Sequence, residues 1–123
     1  MAKSEKQKLK LLYIIQCLIE KTDEEHAVTT QEIIDYLALQ GITAERKSIY
    51  TDIDLLIDFG MDIIKKPGRS GGYTLASRQF ELAELKLLVD AVQSSKFITT
   101  KKSRELIGKL ETLCSKYEAT QLH

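Results

Sequence analysis

The chain has 123 residues, 43% of them hydrophobic, enough for one or two small compact units and too little for a large enzyme core. Its 18 basic and 18 acidic side chains balance, and the two parts do not differ: residues 1–79 carry 11 basic and 12 acidic groups, residues 80–123 carry 7 and 6. Bulk basicity therefore argues for no polyanionic partner, and any such argument must rest on local placement of charge.

The spacing of Leu11, Ile15 and Leu18 predicts a first helix over 5–21. Lys3, Lys6, Lys8 and Lys10 precede its apolar run and imitate a signal peptide. Acidic residues from Glu20 to Glu25 follow, however, instead of a small-residue cleavage site. The run 11–19 also falls short of the roughly 20 residues a helical bilayer span takes. The expectation is a cytoplasmic protein that makes no use of a membrane. Cys17 lies in this helix and Cys114 near the other end of the chain, both in apolar contexts without metal-ligand spacing. They read as buried free thiols in a reducing compartment.

Thr22 to His26 reads as an acidic loop, and Ala27-Val28 as a short extended segment. Thr29-Thr30-Gln31-Glu32 is a capping box, which predicts a second helix from Thr30 to about Gln40 with Ile33, Ile34 and Leu37 inward. Gly41 stops it, and Ile42 plugs the turn. Thr43 is expected to cap a third helix from Ala44 to about Phe59, ended by Gly60. Ile49, Ile53 and Leu56 form its core face; Lys47, Thr51, Asp54 and Asp58 point outward, with Ser48 and Tyr50 on the flanks. Residues 62–66 and 73–75 read as two strands around the Gly-rich turn 67–72. After a link at 76–79, Phe80 to about Ser95 predicts a helix carrying Leu85, Leu88, Val89 and Val92. Phe97-Ile98-Thr99 makes a turn. A last helix is expected from Thr100 to Glu118 with the stripe Leu106, Leu110, Leu113 and Tyr117.

This order is mainly α with a small β-hairpin: a winged helix-turn-helix over 1–79, then an antiparallel helical hairpin over 80–123. A helix of the third helix's size fits the DNA major groove, and a basic hairpin can reach the flanking backbone. The candidate DNA contacts in the third helix are Arg46, Lys47, Ser48, Tyr50 and Thr51. Arg46 can pair bidentately with guanine, Lys47 supplies a point charge, and Tyr50 can donate to phosphate. The alternative is a solvated surface with Arg46 held by Asp52. Lys65, Lys66, Arg69 and Ser70 form the wing, read either as phosphate contacts or as a basic solvent loop. Strand alternation sends Lys65 and Lys66 to opposite faces. Thr29 and Thr30 cap the second helix, whose N-terminus suits a phosphate. The stripe Leu106, Leu110, Leu113 and Tyr117 is the candidate dimerisation surface.

The string Glu45-Arg46-Lys47-Ser48-Ile49-Tyr50-Thr51-Asp52-Ile53, with Leu56 and Phe59-Gly60, resembles the recognition helix of DeoR-type winged helices. More narrowly, the chain resembles bacterial WYL-domain transcriptional regulators. Thr22-Asp23-Glu24-Glu25-His26, Gly71-Gly72-Tyr73, Phe80-Glu81-Leu82 and the segment from Val89 to Ile98 carry that narrower likeness. The resemblance implies a sequence-specific regulator of double-stranded DNA, a homodimer, with an effector ligand bound by a C-terminal WYL domain. That domain is expected to begin about where this chain stops at His123, so a truncated chain is the expectation and a naturally short protein the alternative. Thr51 departs from the pattern, since many relatives carry a basic residue there.

No nucleophile motif, phosphate loop or paired catalytic carboxylate is found, so no enzyme, cofactor or metal is expected. His26 reads as a loop histidine and His123 as a terminal one, neither expected to act as a ligand, and Asp54, Asp58 and Asp62 read as a solvated face. The rival reading is a winged helix used only for protein–protein contact, which the zero net charge and the acidic second half of the third helix favour.

Overall fold

A computed structural model describes residues 6–68 and 71–122. The chain divides into two compact units between Ser77 and Arg78. No described helix is long and apolar enough to cross a membrane.

The first unit opens with α1 (Lys10–Lys21), which buries Ile14, Cys17 and Leu18. Thr22 is fully buried at its end. Its hydroxyl donates to the Leu18 carbonyl (2.7 Å) and accepts from the Leu75 amide (3.0 Å). The acidic segment that follows is a closed turn: the Asp23 carboxylate accepts from the Glu25 and His26 amides, both at 2.9 Å.

The capping box forms as expected. The Glu32 amide donates to the Thr29 hydroxyl and the Thr29 amide to the Glu32 carboxylate, at 3.1 and 3.0 Å. It starts α2 (Thr30–Leu39), which buries Ile33, Tyr36 and Leu37. Just beyond, Gly41 takes a left-handed φ of 80°, and Ile42 is buried in the turn.

The third helix, α3 (Arg46–Phe59), starts two residues later than the sequence predicts. Glu45 stands at its N-cap without a side-chain cap bond. Thr43 caps nothing; Ala44 packs partly on the core, and the Thr43 carbonyl accepts from the Gln7 side chain at 3.3 Å. Ile49, Ile53 and Leu56 are buried, and Gly60 ends the helix in the left-handed region (φ 119°).

The wing is β1 (Ile63–Lys66) against β2 (Gly72–Leu75), antiparallel, with Ile63 opposite Leu75 and Lys66 opposite Gly72. Val28 adds one bridge on the other edge of β2, exchanging bonds of 3.0 and 2.8 Å with Tyr73. That approach requires glycine at 72, because a Cβ there would collide with the Val28 carbonyl. One core joins the three helices to the wing, from Ile14 and Leu18 through Ile33, Leu37, Ile49 and Ile53 to Tyr73 and Leu75.

The second unit holds α4 (Leu82–Ser94), α5 (Thr100–Glu111) and α6 (Lys116–Ala119). Glu84 accepts from the Glu81 amide at 2.9 Å and so fixes the start of α4 two residues after Phe80. Its core is Leu85, Val89, Ile107, Cys114 and Leu122. The single helix expected over 100–118 is broken. The Thr112 hydroxyl turns back to the Lys109 carbonyl (2.6 Å), and buried Ser115 accepts from the Glu118 amide (3.0 Å) to start α6. Two local side-chain bonds thus outcompete continuation of the helix.

Candidate nucleic-acid interface

Three elements converge on an open cleft of about 530 Å³. The N-terminus of α2 brings Thr29, Thr30 and Gln31, α3 brings Arg46 and Tyr50, and the wing brings Lys65, Lys66 and its glycines around Tyr73. The convergence follows from local sequence. The capping box starts α2 at the cleft, where Thr29, Thr30 and Gln31 line it. Arg46 and Tyr50, four apart, share one flank of α3. The Val28–Tyr73 bridge holds β2 against the start of α2.

The floor is neutral and hydroxylated, and the rim is cationic. Tyr73 and Thr30 are buried, their hydroxyls 3.4 Å apart. The Arg46 guanidinium donates to the Gln31 side chain at 3.4 Å, a long contact that leaves it available. Its expected alternative partner, Asp52, is taken instead by Lys10 at 2.8 Å. Lys65 is held by Asp54 at 2.8 Å, and that hydrogen bond and charge raise its pKa. Both wing lysines border the cleft, although alternation sends them to opposite strand faces. Neither Lys66 nor Lys47 is paired with a carboxylate among the described residues.

The expected contact residues therefore separate. Thr29, Thr30, Arg46, Tyr50, Lys65 and Lys66 come together in the cleft. Lys47 and Thr51 lie beside it on the exposed outer face of α3, where the Thr51 hydroxyl donates to the Lys47 carbonyl at 3.2 Å. Ser48 is on the other flank, engaged with the Glu45 carbonyl and with Lys10. Its start-of-helix position suggests a contact, but the half-turn offset from Arg46 carries it toward α1. Arg69 and Ser70 lie outside the described residues. Gln31 and Tyr73 also line the cleft and are not among the contacts expected from the sequence. Gln31 sits inside the capping box that Thr29 opens, which is the signal that marks it.

In the second unit Leu106, Leu110 and Leu113 border an open apolar groove of about 590 Å³ with Leu88, Ala91 and Val92 of α4. Tyr117 does not line it; the break after α5 places that residue on α6.

Comparison of the chain with protein-family models, curated proteins and solved structures finds no match. Among the described residues no group of three or more His, Cys, Asp or Glu side chains could hold a metal ion.

Proposed function

We propose that the first unit binds double-stranded DNA as the reading head of a bacterial transcription regulator. The observation that carries this is the cleft, in which an uncapped cation-bearing helix, a capped helix N-terminus and a lysine-bearing wing face one space. Such a site suits a phosphodiester strand running past a helix seated in the major groove. Arg46, Tyr50, Lys66 and the α2 N-terminus would grip phosphate. Lys47 and Thr51, on the outer face, would meet base edges. The acidic C-terminal half of α3, with Asp54 and Asp58 exposed, would stay clear of the duplex.

The reading extends to the DeoR-type winged helix of WYL-domain regulators that the sequence resembles, with the effector bound by a domain outside this chain and action in the cytoplasm. One winged helix covers a half-site, so a homodimer is part of the proposal. The apolar groove of the second unit suits a second copy of the chain. Lys109 borders it on α5, and Glu84 shares the Leu88 face of α4, so a twofold pair would set acidic edge against basic edge. A mobility shift with random-sequence duplex at low salt tests the DNA reading, and Arg46→Ala with Lys66→Ala should abolish the shift.

Exposed Leu55 and Phe59, on the C-terminal half of α3, favour the rival reading as a protein-binding winged helix. That reading takes over if the duplex is not bound.

A further inference from the structure

Lys10 is set apart from the other described cations of the first unit. Its side chain is 13% exposed, and its ammonium meets two groups, both on α3: the Asp52 carboxylate at 2.8 Å and the Ser48 hydroxyl at 2.8 Å. Asp52 is 15% exposed. The ammonium is the sole counter-group of its Oδ2 among the described residues, met at ion-pair distance rather than along a well-aligned hydrogen bond. Three residues earlier, the Gln7 side chain donates to the Thr43 carbonyl. The N-terminal part of the chain thus brackets the start of α3, before it and within its first two turns.

A largely buried ion pair is a poor source of stability. Desolvation offsets most of the attraction, and an apolar pair of similar volume often does as well. What the charged pair adds is geometry. The side chain at the α3 N-cap makes no capping bond, and the Ser48 hydroxyl that does reach the Glu45 carbonyl is itself held by Lys10. Ser48 and Asp52 lie on the flank opposite Arg46 and Tyr50. A fixed ammonium on one flank sets the roll of the helix, and so the direction in which Arg46 and Tyr50 enter the cleft. It also neutralises the first carboxylate within α3, near the end that would approach phosphate.

We infer that Lys10 is a positioning residue for α3, acting through Asp52 and Ser48. The inference deepens the DNA-binding reading and rests on it for its consequence, but the clamp itself is open to test without DNA.

The decisive variant is Lys10→Met with Asp52→Leu, which keeps the net charge. It should melt at or above the temperature of the unaltered chain. Amide exchange in the first two turns of α3 should nevertheless quicken about ten-fold relative to α2, and affinity for random duplex at low salt should fall about five-fold. Lys10→Arg keeps charge and donors and should stay within about two-fold on both readouts. If the double variant fails to fold, Asp52→Asn keeps volume and removes charge, and the same quickened exchange is expected. Exchange and binding like the unaltered chain in the charge-removing variants would overturn the inference, as would a Lys10→Arg variant as loose as they are. If the unaltered chain binds no duplex, the DNA reading fails while the exchange measurements still decide the clamp.

Discussion

The Lys65 ammonium lies 2.8 Å from the Asp54 carboxylate, an exposed ion pair that ties the first wing strand to the third helix. The hydrogen bond to Asp54, then its charge, hold the Lys65 pKa above the ordinary lysine range. Lys65 therefore stays charged through the physiological range, with Asp54 competing against any phosphate for it. Asp54→Asn removes that competitor and a negative charge from the outer face of α3. Affinity for duplex DNA should rise by roughly two- to five-fold at low salt, with the melting temperature nearly unchanged, because exposed pairs contribute little to folding. Weaker binding on titration would mean that the tether orients the wing.

Ile53 is fully buried at the centre of the first unit. Ile53→Ala should cost about 2–5 kcal/mol, the range for a large core side chain whose cavity only partly collapses. Urea unfolding followed by circular dichroism measures it. A loss below about 1 kcal/mol would be incompatible with the packing described.

Burial pushes the Cys17 thiol up from 9.0 to about 11, partly offset by the Lys21 charge. The reactive thiolate is therefore scarce at neutral pH. A disulfide reagent at pH 8 should leave Cys17 untouched in the folded chain and modify it fully in denaturant. The folded thiol holds its proton more tightly than the unfolded one. The associated stability is thus present below about pH 9 and is lost as pH rises towards 11. Rapid labelling under native conditions would contradict the burial.

Leu88 and Leu106 border the groove of the second unit without belonging to its buried core. Leu88→Glu with Leu106→Glu should convert a dimer to a monomer that keeps its helical signal. Sedimentation at micromolar concentration reads both. An unaltered chain that is already monomeric there would remove the groove's role in pairing.

The first unit was more legible in the sequence than the second. Thr29-Thr30-Gln31-Glu32, Gly41 and Gly60 announced the helix ends because capping is local chemistry that a short window carries. The stripe of α3 gave its core face; that of α2 gave Ile33 and Leu37 but Tyr36 is buried in place of Ile34, and that of α1 gave Leu18 while Ile14 is buried and Leu11 and Ile15 only partly so. The start of α3 was misplaced because Thr43 is a better intrinsic cap than Glu45, and tertiary packing of Ala44 overrode that preference. The last helix was read too long because Leu106, Leu110, Leu113 and Tyr117 keep a helical period across a break. The signal that could have corrected it is Ser115-Lys116-Tyr117-Glu118, a capping-box pattern inside the stripe. At the cleft, spacing brought Arg46 and Tyr50 together. The pairing of Lys10 with Asp52 spans 42 positions between two helices, and no local pattern encodes such a contact.

The central claim is that the cleft grips the phosphate backbone of duplex DNA. Its most direct test is the affinity of the chain for a labelled random-sequence duplex, read by fluorescence anisotropy across a series of salt concentrations. The account predicts measurable binding at low salt. The logarithm of the association constant should then fall linearly with the logarithm of salt, by about 0.9 for each phosphate neutralised, and more shallowly in Arg46→Ala and Lys66→Ala. No association at low salt, or an affinity that salt leaves unchanged, would contradict it.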